Sequence, residues 1–516
     1  MPKNKQHRNL PKTIRQPDVS RTKALICLTI MVKNESKIIT RCLDSCQFSV
    51  DFICLTDTGS TDNTIAIVRE WAASKKIPCV VCQEMFQNFE YNRTMSYLFS
   101  KYHFPQATYF LLIDADMKLE DDNRNIITSK NKVVFYTDGP EVYHITQYSK
   151  TSTYRNIRML KNDRLWICAA ITHEFWAAYE TGTENGYEQE VDFIIDDAKK
   201  NYPNDPNHLV FTLLNQYRLM TSEQDAFQRE VKKDSATNCI MNDFEDGGCK
   251  SDKFIRDVKM ISSRIDITKN LLINRRYHFY IAQSYESIPD PFRSIEFYKK
   301  RSKLGGYDGE IYYSFYKIGY LYHNLGWMVK NDIKKQKKMS VGMVSVDNAA
   351  EEDDNESCME PVKNGDQLYF PAEPKFGFEN QDELEDYYFG QAIYYLMKAW
   401  NFSSSSTEAL NRLCITLRDN MLHNPALLFA EVGHNMPENT EGLFNETNMK
   451  EKFEMERFIA ASWIPSRRKQ AKEWLDKMIK LKRLYTPTMR DWVDEQKKFM
   501  DKWIDDGVSG LEGMKK

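Results

Sequence analysis

Short apolar runs alternate with amphipathic segments over the first part of the chain. Leu25 to Val32 is a continuous, β-branched-rich run and reads as a strand buried on both faces. From Ser36 to Ser45, Ile38, Ile39, Cys42 and Leu43 fall at helical spacing. Phe52 to Thr56 is a second strand. A glycine turn follows, then a helix over about 62–74 with Asp62 or Ser60 placed as its N-cap. Cys79 to Gln83 reads as a third strand, Tyr91 to Tyr102 as a helix and Tyr109 to Ile113 as a fourth strand. This alternation predicts an α/β domain built on a doubly wound, mostly parallel sheet. Such sheets bind ligands beyond the carboxyl ends of their strands, where Asp57, Asp114 and Asp116 all fall. Val133 to Trp176 is strand-like and aromatic, and about 179–238 reads as an insertion.

Beyond Lys253 the period changes. Arg276 to Tyr285 and Ser294 to Lys300 form one helix pair. Ile311 to Tyr320 is a similar first helix, but its expected partner, Gln391 to Ala399, comes only after a long gap. Cutting out the gap restores a spacing near the ~34 residues of tetratricopeptide repeats. The gap, about 330–381, holds a basic run (Lys334 to Lys338) and an acidic one (Glu351 to Glu356), and reads mostly as a disordered loop. Thr407 to His434 makes a further helix pair, and Lys450 to Trp503 is amphipathic, broken at Pro465 and Pro487. The aromatics Tyr280, Tyr285, Tyr298, Tyr312 and Tyr316 fit core packing at these spacings. The expected organisation is a disordered leader (1–23), an α/β domain (24–258) and an all-α repeat domain (259–516).

A chain of 516 residues with 41% hydrophobic and 28% charged residues fits two or three globular domains. The net charge of −3 gives no sign of a nucleic-acid partner. No apolar run approaches the ~20 residues that span a bilayer, so no transmembrane segment is expected. The leader is basic and polar without an apolar h-region, which points to the cytoplasm. The eleven cysteines are scattered and odd in number, a pattern of reduced thiols rather than a disulfide framework. Cys79 and Cys82 have CxxC spacing but lie in a strand with no second pair nearby.

Two pieces of chemistry stand in order. Tyr109 to Asp116 is an apolar strand that stops at Asp114-Ala115-Asp116. Paired carboxylates there can hold Mn²⁺ or Mg²⁺, hard cations that bridge phosphate oxygens and act as Lewis acids on a departing diphosphate. Before it, Asp57-Thr58-Gly59-Ser60-Thr61-Asp62 places a carboxylate at a strand end. The glycine admits close backbone approach, and the following helix N-terminus favours phosphate, although the same letters spell an ordinary capped turn. In Thr172-His173-Glu174, Glu174 is placed to be a general base and His173 to complete a metal shell or hold the phosphate, or the pair is a satisfied strand end. Arg93, Arg158 and Lys161 are cations able to neutralise diphosphate, if they are not simply surface residues.

Taken together, these motifs resemble the family 2 glycosyltransferases with a GT-A fold, in the branch whose catalytic domain precedes tetratricopeptide-like repeats. Thr29 to Glu35 resembles the family's opening strand and its Lys-Asn-Glu turn, which includes Asn34 and Glu35. Asp57 to Asp62 resembles the nucleotide-binding turn, and Asn88 to Thr94 the segment before the metal strand. Asp114 to Met117 resembles the metal motif. Gln147, Tyr154 to Arg158, Trp166 and Thr172 to Trp176 follow in the family's order, as do Asp246 to Asp257 and Phe279 to Tyr285. The resemblance implies an enzyme of the hexosyltransferase kind (EC 2.4), transferring a sugar from a nucleoside diphosphate donor to an acceptor hydroxyl, usually with inversion. Asn34, Glu35, Asp57, Gly59, Arg93, Asp114 and Arg158 would then line the nucleotide-sugar site. Asp116, Asp114 and His173 would face the metal, and Glu174 would be the base. The QxxRW signature of processive members is not present. The acceptor would be a glycan or a protein, and the repeats would offer a surface for a protein partner.

Two other classes fit parts of the pattern. A nucleotidyltransferase needs a Gly-rich basic loop after the first strand, and Met31 to Glu35 has no glycine. A scaffold protein with a degenerate transferase domain would be expected to have lost the carboxylates, and Asp57, Asp114 and Asp116 are present.

Overall fold

The computed structural model describes residues 21–149, 153–178, 233–246, 253–268, 270–339, 363–364, 367–368, 380–437 and 448–505. The bulk of the 1–23 leader and of the 179–238 insertion lies outside these residues, as do Gly247 and Gly248 and most of the span from 340 to 379. The chain divides into two compact units, Met1–Asn274 and Arg275–Lys516.

The first unit is built on an eight-stranded sheet. In chain order its strands are β1 (Ile26–Val32), β2 (Phe52–Asp57), β3 (Cys79–Gln83), β4 (Tyr109–Leu112), β5 (Met117–Asp121), β6 (Val142–Tyr148), β7 (Thr153–Lys161) and β10 (Lys233–Asp243). Across the sheet the order is β3-β2-β1-β4-β7-β6-β10-β5. The first four pair in parallel, with Val32 beside Asp57 and Thr29 beside Leu112. β7 joins β4 and β6 antiparallel, β10 runs parallel to β6, and β5 closes the edge antiparallel to β10. A separate hairpin pairs β8 (Trp166–Ala169) with β9 (Phe175–Ala178).

Alternation along β1 and β2 splits the core into two layers. Leu28, Ile30, Ile53 and Leu55 pack with Ile39 and Leu43 of helix α1 (Ile39–Cys46) and with Val68 and Trp71 of α2 (Thr64–Lys75). Cys27, Cys54, Phe110 and Leu112 face the other way, against Tyr97, Leu98 and Phe99 of α3 (Phe89–His103). Buried on both sides, these strands read as unbroken apolar runs in the sequence.

Several element boundaries differ from the sequence reading for identifiable reasons. Helix α2 starts at Thr64, because the Asp62 carboxylate accepts from the amides of Thr64 (3.0 Å) and Ser36 (3.1 Å) and so ties two loops together. Helix α3 starts at Phe89 rather than Tyr91. Its N-cap is Asn88, whose side chain accepts from the Tyr91 amide at 2.8 Å. Strand β5 went unread, since Met117-Lys118-Leu119-Glu120 is short and half polar.

The second unit is helical, as the repeat pattern implies. The first unit ends with α4 (Lys253–Ser262), α5 (Leu271–Ser287) crosses the boundary at Asn274, and the second unit continues with α6 (Pro291–Lys303), α7 (Asp308–Met339), α8 (Gln381–Phe402), α9 (Glu408–Asp419), α10 (His423–Asn435), α11 (Met449–Trp463), α12 (Arg468–Leu481) and α13 (Pro487–Asp505). Helix α7 continues to Met339, ten residues into the span read as a loop. Lys334 to Lys338 is rich in good helix formers, so the basic run extends the helix rather than ending it. Helices α7 and α8 pack closely where glycine leaves room: Gly319 meets Leu396 and Gly326 meets Phe389. Tyr285, Tyr298, Tyr312 and Tyr316 are buried, and Tyr280 is half-buried. Among the described residues, no helix is long and apolar enough to cross a membrane.

Candidate active site

The turn after β2 is held from both sides. Asp57 is the last residue of β2 and is 1% exposed. One of its oxygens, Oδ2, accepts from the amides of Gly59 (3.1 Å) and Ser60 (3.0 Å). The other, Oδ1, is buried and has no hydrogen-bond partner among the described residues. Gly59 has φ +101°, a conformation that other L residues rarely adopt, and Met85 lies over it. Asn34, itself left-handed at φ +58°, accepts from the Thr61 amide at 2.7 Å, and its own amide donates to Ser60 Oγ at 2.9 Å. The Glu35 amide donates to Thr64 Oγ1 at 2.8 Å. The Lys-Asn-Glu turn after β1 and the glycine turn after β2 are therefore one interlocked structure.

The carboxylates beyond β4 are organised by arginines. Arg93 Nη1 donates to Asp114 Oδ1 at 2.9 Å, and Arg158 Nη1 to Asp114 Oδ2 at 3.2 Å. Arg158 Nε donates to the fully buried Gln147 at 3.1 Å. Arg93 Nε approaches Glu174 Oε1 at 2.5 Å in an ion contact that lacks hydrogen-bond alignment. The chain of contacts runs Glu174, Arg93, Asp114, Arg158, Gln147. Burial alone would raise the Asp114 carboxyl, but the two guanidiniums hold it well below the usual carboxylate range. Burial works against the Arg93 charge too, and Asp114 and Glu174 more than compensate, raising its pKa.

The backbone of the Asp114–Asp116 turn is pinned from below. Cys42 Sγ donates to the Asp114 carbonyl at 3.6 Å, and the Phe244 amide to the Asp116 carbonyl at 3.1 Å. Arg41 reaches the same carbonyl at 3.4 Å, forms a bidentate pair with Asp246 at 2.7 and 2.8 Å, and lies over the Phe244 ring at 4.1 Å. Arg41 and Asp246 are 205 positions apart, and no local pattern marks Arg41.

Glu174 and His173 sit in the loop of the β8–β9 hairpin. His173 Nε2 lies 3.4 Å from Asp257 Oδ2, without hydrogen-bond alignment, and Thr172 Oγ1 donates to Asp257 Oδ1 at 3.0 Å. Burial would raise the Asp257 carboxyl, but His173 and Thr172 hold it below its usual range.

The three residues expected on a metal are therefore not gathered around one point. Both Asp114 oxygens face guanidiniums, and His173 turns its Nε2 to Asp257. Among the described residues no three of His, Cys, Asp or Glu cluster as a cation-holding group. Mg²⁺ and related hard cations are commonly held by one or two carboxylates, with substrate phosphates completing the shell, so Asp116 at the strand end suits that mode. Arg93 and Arg158, expected to neutralise diphosphate, both meet the Asp114 carboxylate, and Lys161, expected to act with them, donates to the Gly139 carbonyl at 3.1 Å.

Residues 27–124 match the family model described as glycosyl transferase family 2. No curated protein matches the chain. Among solved structures, YrrB, a TPR protein with an unusual peptide-binding site, is 10% identical, with 59% of this chain and 99% of that one covered and a TM-score of 0.27. Staphylococcus aureus TarS 1–349 is 10% identical, with 57% and 88% covered and a TM-score of 0.26. The same protein in complex with UDP is 12% identical, with 57% and 88% covered and a TM-score of 0.24. At scores this low, the family match is the finding that bears on the site.

Proposed function

We propose that the chain, whose residues 27–124 match the family model described as glycosyl transferase family 2, is a non-processive, inverting glycosyltransferase of the EC 2.4 kind. It takes a nucleoside diphosphate sugar as donor and an acceptor hydroxyl on a glycan or protein, and it acts in the cytoplasm. The observation that carries this reading is the buried Asp57 Oδ1, an acceptor without a partner beside the Gly59 turn. A buried carboxylate oxygen left unpaired is costly, and a base carrying a ring N–H would satisfy it. Uracil and guanine have such an N–H, and cytosine does not.

In this reading Asn34 and Glu35 brace the nucleotide turn through the contacts to Ser60, Thr61 and Thr64. Asp116 is the carboxylate that would hold Mn²⁺ or Mg²⁺. The bound cation would supply Lewis-acid neutralisation of the departing diphosphate. Asp114, neutralised by Arg93 and Arg158, shapes the floor of the donor site. Glu174 takes the proton of the acceptor hydroxyl as the new bond to the anomeric carbon forms. The bond from that carbon to the phosphate oxygen breaks, and its electron pair leaves with the diphosphate. The helical unit offers a surface to the acceptor or a protein partner.

A thermal-shift panel of UDP-glucose, UDP-N-acetylglucosamine, UDP-galactose and GDP-mannose, with and without Mn²⁺, tests this. One donor should stabilise the protein in the presence of the cation, by about 2.7 kcal/mol at a hundredfold excess over its dissociation constant. No shift with any donor contradicts the proposal.

A further inference from the structure

The β8–β9 hairpin pairs only with itself among the described strands. A two-stranded hairpin alone is marginally stable. Yet its five-residue loop, 170–174, carries Glu174 to within 2.5 Å of Arg93. The loop is also strained. Ala170 has φ +79° and His173 φ +52°, a region that non-glycine residues hold only when their surroundings force it.

Helix α4 supplies that force from more than 80 residues away in sequence. Asp257 is 1% exposed and points its carboxylate at this loop. Its Oδ1 accepts from Thr172 Oγ1 at 3.0 Å, and its Oδ2 lies 3.4 Å from His173 Nε2. Thr172 is buried as well, which shields the bond from competing water. The preceding residue, Arg256, lies over the Phe89 ring at 5.4 Å, and the Phe89 amide donates to the Ile171 carbonyl at 3.3 Å. One turn of α4 and the start of α3 thus grip the loop at consecutive residues. We propose that Asp257 is a positioning residue for the transfer: it locks the Ala170–Glu174 loop in its left-handed form and so fixes the Glu174 carboxylate against Arg93. The catalytic part of this inference rests on the glycosyltransferase reading, while the locking of the loop does not.

The test compares wild type, Asp257→Ala, Asp257→Asn and the double variant Asp257→Ala/His173→Gly. Hydrogen exchange by mass spectrometry reads the loop, and donor hydrolysis with the UDP-sugars and GDP-mannose above reads the reaction. In Asp257→Ala, amides of 171–176 should exchange at least tenfold faster, while those of β1 and β4 stay unchanged. The hydrolysis kcat should fall about 10- to 100-fold, with the thermal shift induced by the preferred nucleotide, UDP or GDP, retained. Glycine at 173 adopts the left-handed form freely, so the double variant should recover part of the lost rate. If Asp257→Ala does not fold, the near-isosteric Asp257→Asn carries the same expectations, with smaller changes. Unchanged loop exchange overturns the proposal, and so does a rate loss matched by an equal loss of the shift induced by the preferred nucleotide. So does a double variant no faster than Asp257→Ala. Faster loop exchange in a protein whose wild type turns over none of the donors would leave the lock standing and remove the transferase reading.

Discussion

A single guanidinium joins Arg93 to Asp114 through a 2.9 Å hydrogen bond while its Nε touches Glu174 at 2.5 Å. The carboxylate just beyond β4 and the carboxylate in the hairpin loop are therefore positioned by the same side chain. Both carboxylates and Arg93 are only partly exposed. Replacing Arg93 with Met leaves two carboxylates facing each other with Arg158 as the remaining cation. Stability should fall by about 2–3 kcal/mol, toward the low end for a broken buried pair, and kcat by about 100-fold or more. Denaturant unfolding and initial rates check this. A variant within 0.5 kcal/mol of wild type would show that Asp114 does not depend on Arg93.

Asp57→Asn keeps a carbonyl oxygen for the Gly59 and Ser60 amides and sets an NH₂ where the free acceptor was. The fold should persist. Affinity for UDP or GDP should drop about tenfold or more, a loss near 1.4 kcal/mol. Calorimetric titration reads it, and unchanged affinity would place the base elsewhere.

The helical unit buries opposed titrations. Glu456 is pushed up to about 7 by burial, with Arg418 only partly offsetting it and Asp419 adding to the rise. His323 is pushed down to about 4 by burial, aided by Arg412 and Arg418. The two sit on one polar network: Arg418 Nε is 3.5 Å from Glu456 Oε2, and His323 Nε2 is 3.8 Å from Asp419 Oδ2. The Glu456 contribution is complete below its unfolded value near 4.5 and is lost as pH rises through 7. The His323 contribution is complete above 6.5 and is lost as pH falls through 4. Between pH 4.5 and 6.5 the two slopes oppose each other. Glu456→Gln should therefore gain stability with rising pH across this window, by on the order of 2–3 kcal/mol more than wild type. Chemical unfolding at pH 4.5, 5.5 and 6.5 measures it, and parallel curves for the two proteins would contradict it.

Two glycines should answer alanine in opposite ways. A Cβ on Gly433 of α10 would fall 2.1 Å from the Phe453 ring of α11, whereas one on Gly390 of α8 meets nothing within 4 Å. Gly433→Ala should cost about 1–3 kcal/mol by overpacking. Gly390→Ala should stabilise by about 0.5–1 kcal/mol through helix propensity. Thermal melting ranks them, and the reverse order would refute the close approach of α10 and α11.

What the sequence showed follows from range. The central parallel strands β1, β2 and β4 were legible because burial on both faces makes them unbroken apolar runs, and the strand-end positions of Asp57 and Asp114 follow from those runs. The helical unit was legible from its spacing. What stayed hidden is made by contacts distant in sequence. Nothing near Arg93 says that it bridges Asp114 and Glu174, or near Arg41 that it pairs with Asp246. That His173 turns its Nε2 to Asp257 is likewise unreadable locally, because Asp257 belongs to a later helix. Strand β5 escaped because an edge strand of five residues, three of them charged, carries little period-two signal.

The central claim is that the strand-end carboxylates receive a nucleoside diphosphate together with a divalent cation held on Asp116. Calorimetric titration of UDP and of GDP into wild type and Asp116→Asn, each with and without Mn²⁺, tests it most directly. The expected result is that Mn²⁺ tightens one nucleotide at least tenfold in wild type, about 1.4 kcal/mol, and does not do so in the variant. Equal tightening in both proteins, or none in wild type, would contradict it.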